Sequence, residues 1–275
     1  MKGKCSLIMI AQLCDIFNTG ISNFKKYSSK ILGTSKKVEV DYIEERENEC
    51  VIVHDINNEI SYVICNWTEF YEIQDILSNL LVDSITIYHK INNYAQIHLH
   101  KGYYNRAFAL KKRIGDGLQK EVIFTGFSMG GAIAQILSLL YMNQPFDSDR
   151  NIKCVSFGSP GVIRGKHPIK NVKNYQINGD VVCNLWLSYR RLGVIYEITE
   201  NGKINLKKEK NIFEKSIALF CDIITFQFVK KWGRNHKLSN YISYLGTKPK
   251  GCNGRKKCTT VNASKQRRRS ANPKQ

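Results

Sequence analysis

The segment from Val122 to Met142 constrains this chain more than any other. Val122-Ile123-Phe124 is a short, wholly apolar run, the pattern of a strand covered on both faces. A clean helical run, Ala132 to Met142, follows with no Gly or Pro inside. Between them lies Gly126-Phe127-Ser128-Met129-Gly130-Gly131. Gly126 to Gly130 fit G-x-S-x-G, a tight strand-to-helix turn that holds the serine in a strained conformation with its hydroxyl exposed. The flanking glycines are needed because side chains there would collide across the turn. The helix N-terminus also presents backbone N–H groups to any oxyanion that forms at the serine. Ser128 is therefore a candidate nucleophile.

Around this centre the apolar pattern alternates between strand and helix periods. Val38 to Ile43 alternates as a half-buried strand. Cys50–His54 and Ile60–Cys65 are apolar runs joined by turn-forming residues, a hairpin. Glu72 to Val82 and Tyr103 to Leu118 have helical spacing, Ser84 to Tyr88 returns to alternation, and 154–157 and 172–177 read as further strands. Val194 to Leu206 centres on Asn201-Gly202, a strong hairpin signal. The stretch around Ser28 to Lys37 is polar, and Ile212 to Trp232 is a strongly apolar amphipathic segment. Strands separated by helices imply an α/β fold: a mostly parallel, doubly wound sheet with a nucleophile elbow, as in the α/β-hydrolases.

In such folds the partners of the nucleophile follow it in the order acid, then histidine. Asp180 comes directly after the strand ending at Ile177, where Asn178-Gly179 turns the chain at the edge bearing the active site. Asp147 and Asp149 follow the nucleophile helix and precede the next strand, which puts them on the opposite edge. Of six histidines, only His167 and His236 follow Ser128, and with Asp180 as acid the order leaves His236.

Several blocks in register with these residues resemble the class 3 lipases, fungal lipase-like α/β-hydrolases, over about Cys50 to Leu245. His100-Lys101-Gly102-Tyr103 is similar to the family's His-x-Gly-Phe block, and Val122 to Leu140 to its elbow and helix. Phe157-Gly158-Ser159-Pro160 is similar to its Phe-Gly-x-Pro strand end. Asn178 to Val182 looks like the segment holding the acid, and His236 to Tyr241 like the histidine block with its tyrosine. The resemblance implies hydrolysis of carboxylic esters of lipids at a membrane or emulsion surface, with no cofactor and no metal. It also implies an oxyanion hole from Met129 and Thr68, and it places a short lid at His89 to Gln96. Asn66-Trp67-Thr68 stands where the family usually has Arg-Gly-Thr, so Trp67 crowds the approach to the hole. A catalytically silent lipase-like module that binds a membrane or a partner is the alternative reading.

Charge adds a second theme. The 275 residues hold 42 Lys and Arg against 23 Asp and Glu, a formal charge of +19. Ten of the basic residues and no acid lie in 246–275, which leaves +9 on the rest. The expected organisation is a hydrolase domain over 1–245 and a basic disordered tail over 246–275. The tail suits a nuclear localisation signal or an electrostatic tether to anionic phospholipid. Nucleic-acid binding is disfavoured, because the excess is concentrated in the tail and no recognition motif accompanies it. The nine dispersed cysteines, set among apolar neighbours, read as reduced thiols of a cytoplasmic protein, and the chain is expected to be a monomer. The apolar start of the chain reads as a helix packed on the domain.

Overall fold

The computed structural model describes residues 3–33, 38–45, 48–66, 83–89, 95–143, 149–165, 169–185, 188–208, 212–217 and 234–247. The helix expected over Glu72–Val82, the oxyanion residue Thr68, the lid core 90–94, the amphipathic segment beyond Ile217 and the tail from 248 onward lie outside them.

The described residues form ten strands and five principal helices in chain order: α1 (Gly3–Phe17), α2 (Ile21–Leu32), β1 (Val38–Glu45), β2 (Asn48–Asp55), β3 (Ile60–Cys65), β4 (Ser84–His89), β5 (Ala95–His100), α3 (Lys101–Ile114), β6 (Glu121–Phe127), α4 (Ser128–Met142), β7 (Asn151–Phe157), β8 (Val172–Ile177), β9 (Val194–Ile198), β10 (Ile204–Lys207) and α5 (Leu238–Gly246). Eight strands make one sheet in the order β1-β2-β3-β6-β7-β8-β9-β10, while β4 and β5 pair separately. The run from β3 to β9 is parallel, and antiparallel strands flank it at both ends.

Side-chain alternation along β6 explains the two-sided core. Val122 and Phe124 enter one apolar cluster with Ala107 and Leu110 of α3 and Ile136 of α4. Ile123 and Phe127 enter the other with Leu13 and Phe17 of α1 and Tyr241 of α5. Each such side chain contributes roughly 1.5 to 3 kcal/mol when fully buried. On α3 the buried positions Tyr103, Ala107, Leu110 and Ile114 repeat at helical spacing. In α4 every residue from Ser128 to Tyr141 is buried, since the helix lies between the sheet and α3. The expected N-terminal helix is present as α1, and its Cys14 thiol meets the Thr125 hydroxyl at 3.4 Å, one residue before the elbow begins.

Both expected hairpins form. In β2–β3 the Asp55 carboxylate accepts from the Asn58 N–H and side-chain amide. In β9–β10, Gly202 supplies a φ of 74°. Four elements depart from the sequence reading. The stretch read as polar begins inside α2, whose buried face is only Phe24 and Ser28. The strand β5 and the helix α5 were not anticipated. The nucleophile helix starts at Ser128, four residues before Ala132. Gly130 and Gly131 are poor helix formers, yet a Cβ on Gly130 would lie 2.5 Å from the carbonyl oxygens of Cys65 and Asn66, so the close crossing of α4 over β3 requires glycine.

Candidate active site

The parallel strands β6, β7 and β8 end at the same edge of the sheet, and each delivers one part of the site. β6 runs into α4 through Ser128, which adopts φ 54°, one of two non-glycine residues with positive φ among the described residues. A non-glycine residue there is under steric strain, held by the surrounding packing. That packing requires glycine at Gly126 as well, where a Cβ would come within 2.4 Å of the Gly130 carbonyl carbon.

After β8, the chain turns at Gly179 (φ 77°) and presents Asp180, which is 3% exposed. Its Oδ1 accepts from the Val182 N–H at 3.0 Å, and its Oδ2 accepts from the Tyr241 hydroxyl at 2.6 Å. Burial and the adjacent Asp180 charge push the Tyr241 phenol well above its usual range, so it remains a donor at any working pH. His236 stands between acid and serine, with Nδ1 3.0 Å from each Asp180 oxygen and Nε2 2.8 Å from Ser128 Oγ. A carboxylate can only accept, so Nδ1 carries the proton and Nε2 is left to accept from the serine hydroxyl. The segment carrying His236 is tied to the acid turn by Asn235, whose amide donates to the Gly179 carbonyl at 3.1 Å. Asp149 sits at the start of β7, on the opposite edge from Ser128.

Three contributors were not read as site residues from the sequence, although Gly158 stands in the Phe157–Pro160 block. Phe127 stacks on the His236 ring at 4.5 Å. Gly158, with φ 57°, lies where a Cβ would be 2.9 Å from the Phe127 ring, 3.0 Å from Asp180 Oδ2 and 3.1 Å from His236 Cε1. Beneath the elbow, buried Gln135 donates to Ser159 Oγ at 2.6 Å and accepts from the Leu192 N–H at 2.8 Å, fastening α4 to the loops after β7 and before β9. His100 is not part of the triad geometry. It opens α3, stacks on Tyr103 at 4.3 Å, and burial holds its imidazole down to about 4. Met129 lies in the first turn of α4, beside Ser128. Among the described residues, no group of His, Cys, Asp and Glu is arranged to hold a metal ion.

A family model described as lipase (class 3) matches residues 33–184, more than half of the chain. No curated protein matches the sequence. Among solved structures, a Rhizomucor miehei lipase in complex with its propeptide is 13% identical with a TM-score of 0.54, covering 73% of this chain and 68% of that one. Lipase II from Rhizopus niveus is 14% identical with a TM-score of 0.53, covering 74% and 83%. The lipase from Rhizopus microsporus var. chinensis is 15% identical with a TM-score of 0.54, covering 76% and 80%. At these identities the likeness is one of fold, that of the α/β-hydrolases.

Proposed function

The chain belongs to the class 3 lipase family, and from that premise we propose that it hydrolyses carboxylic esters of lipids through Ser128, His236 and Asp180. One observation carries the reading: a strained serine at φ 54° whose hydroxyl is 2.8 Å from an imidazole oriented by a buried carboxylate. Ser128 Oγ attacks the acyl carbonyl while His236 Nε2 takes its proton, and the imidazolium is stabilised by Asp180. Collapse of the tetrahedral intermediate breaks the bond to the alcohol, which leaves with the proton from Nε2. Water then repeats the sequence on the acyl-enzyme, releasing a carboxylic acid. Met129 and Thr68 are assigned to the oxyanion by their backbone N–H groups, and losing one such donor costs about 3 to 4 kcal/mol of transition-state stabilisation.

Docking at a lipid surface is supported by the helical residues 212–217. There Phe213 and Ile212 are 71% and 57% exposed, while Lys215 is buried with its ammonium donating to the Tyr189 carbonyl at 2.8 Å. A helical turn that buries its lysine and exposes Ile212, Phe213 and Ile217 beside Glu214 suits the margin of an apolar phase. The +19 charge favours anionic aggregates as the phase encountered first. A cytoplasmic enzyme fits the five buried free thiols among the described residues. No helix among those residues is long and apolar enough to cross a membrane.

The test compares wild type with Ser128→Ala on p-nitrophenyl butyrate and emulsified acylglycerols. The expected loss in kcat is at least about a thousandfold, and a fluorophosphonate probe labels Ser128 in wild type. Folded wild-type protein that resists the probe favours the silent binding module instead.

A further inference from the structure

On the α1 side of the sheet lies a cavity of about 410 Å³, within the size range of small-ligand sites. Its floor is apolar, made by Leu7 of α1, Val155 of β7, Tyr175 of β8 and Ile204 of β10. Its polar wall holds three lysines, Lys153, Lys170 and Lys173. The strand register explains the grouping. Val155 pairs with Lys173, so Lys173 and Tyr175 on β8 share a face with Val155 and, two residues earlier on β7, Lys153. Lys153 is matched by the Glu121 carboxylate at 3.0 Å. Lys170 and Lys173 are exposed at the cavity and have no acidic partner among the described residues. The lysines sit where β7 and β8 begin, whereas Ser128, Gly158 and Asp180 sit beyond the other ends of the parallel strands.

We propose that this cavity is an accessory site for a single-chain anionic amphiphile, its carboxylate or phosphate head on Lys170 and Lys173 and its acyl chain over the floor. Two positive charges lining one cavity without a carboxylate partner among the described residues favour an anion between them, and an apolar floor discriminates against a small inorganic one. A neutral head group offers the lysines nothing. The chemistry is shared by a fatty-acid anion and by a phosphate-headed lipid with one chain. The site stands whether or not Ser128 is a nucleophile.

The test is calorimetric titration of the full chain carrying Ser128→Ala, which prevents turnover, with laurate, dodecyl phosphate, monolaurin and inorganic phosphate below micelle-forming concentrations. Laurate and dodecyl phosphate are expected to bind, the tighter one naming the head group, with monolaurin and inorganic phosphate at least about tenfold weaker. Adding Lys170→Gln and Lys173→Gln lowers both anionic affinities about tenfold or more, while arginine at the same two positions retains them. An unchanged thermal midpoint is expected for both exposed substitutions. Equal affinities in the glutamine variant place the lipid elsewhere, in the acyl site or on the basic tail, and overturn the proposal. So does monolaurin or inorganic phosphate binding as tightly as laurate.

Discussion

Gly158→Ala puts a single methyl group into the space where Phe127, Asp180 and His236 meet. The new Cβ would stand 2.9, 3.0 and 3.1 Å from atoms of those residues, against the 3.4–4 Å of ordinary contact, so each neighbour must yield by several tenths of an ångström. Left-handed φ in a non-glycine residue costs about 1 to 2 kcal/mol, and crowding a packed site adds roughly 1 to 3 kcal/mol. A 1 Å misplacement costs about a hundredfold in rate, so a shift of the imidazole by a few tenths of an ångström costs less. The expected outcome is therefore a stability loss of about 2 to 5 kcal/mol and a kcat/KM about tenfold lower on a soluble ester. Gly33→Ala is the control, since Gly33 has φ 67° at the end of α2 with nothing within 4 Å of its added Cβ. It shares the backbone penalty without the collision. Thermal melts, at roughly 2 to 4 °C per kcal/mol for a chain of this size, and initial rates on p-nitrophenyl butyrate separate the two effects. If Gly158→Ala keeps wild-type kcat/KM and melts like Gly33→Ala, the steric argument is wrong.

Other consequences are open to similar measurement. Tyr241→Phe removes a 2.6 Å donor from a buried carboxylate and is expected to cost about 1.5 to 3 kcal/mol in urea unfolding, with kcat/KM about tenfold lower; unaltered stability would show that the phenol does not support Asp180. His100, whose pKa burial lowers from 6.5 to about 4, is neutral when folded and takes up a proton when unfolded between those values. Its contribution is fully present above pH 6.5 and is lost as pH falls toward 4, amounting to about 2.5 kcal/mol at pH 4.5. The urea midpoint of wild type should thus fall more steeply from pH 6.5 to 4.5 than that of His100→Phe, and parallel slopes count against it.

How much was legible in the sequence depended on where the information sits. β6 and α4 were readable because a fully buried strand and helix show uninterrupted apolar runs. Glycines hid the first turn of α4, since their use there is decided by the carbonyls of Cys65 and Asn66, far away in sequence. α2 escaped because ISNFKKYSSKIL buries little more than Phe24. β5 alternates correctly, with Ile97 and Leu99 inward, but it abuts the stretch matched to a lid. In the site, chain order singled out Ser128, Asp180 and His236, and the structure places His236 within hydrogen-bonding distance of both Asp180 and Ser128. Phe127 acts through packing across the sheet edge, which no local pattern encodes, and the Phe-Gly-x-Pro block marks Gly158 without saying which side chains crowd it.

The pairing of α1 with α5 across one face of the sheet also has a bearing on synthesis. About 220 residues separate Phe17 from Leu238, and at ribosomal speeds that interval lasts about 11 to 44 s. Within it, Phe127 waits 114 residues for the ring of Tyr241, about 6 to 23 s at those speeds, Phe157 and Tyr175 wait less, and Asp180, once made, lacks both its phenol and its imidazole. Nascent chains of this protein therefore expose an apolar face until α5 is made, and Asp180 gains its phenol and imidazole only when α5 closes over that face.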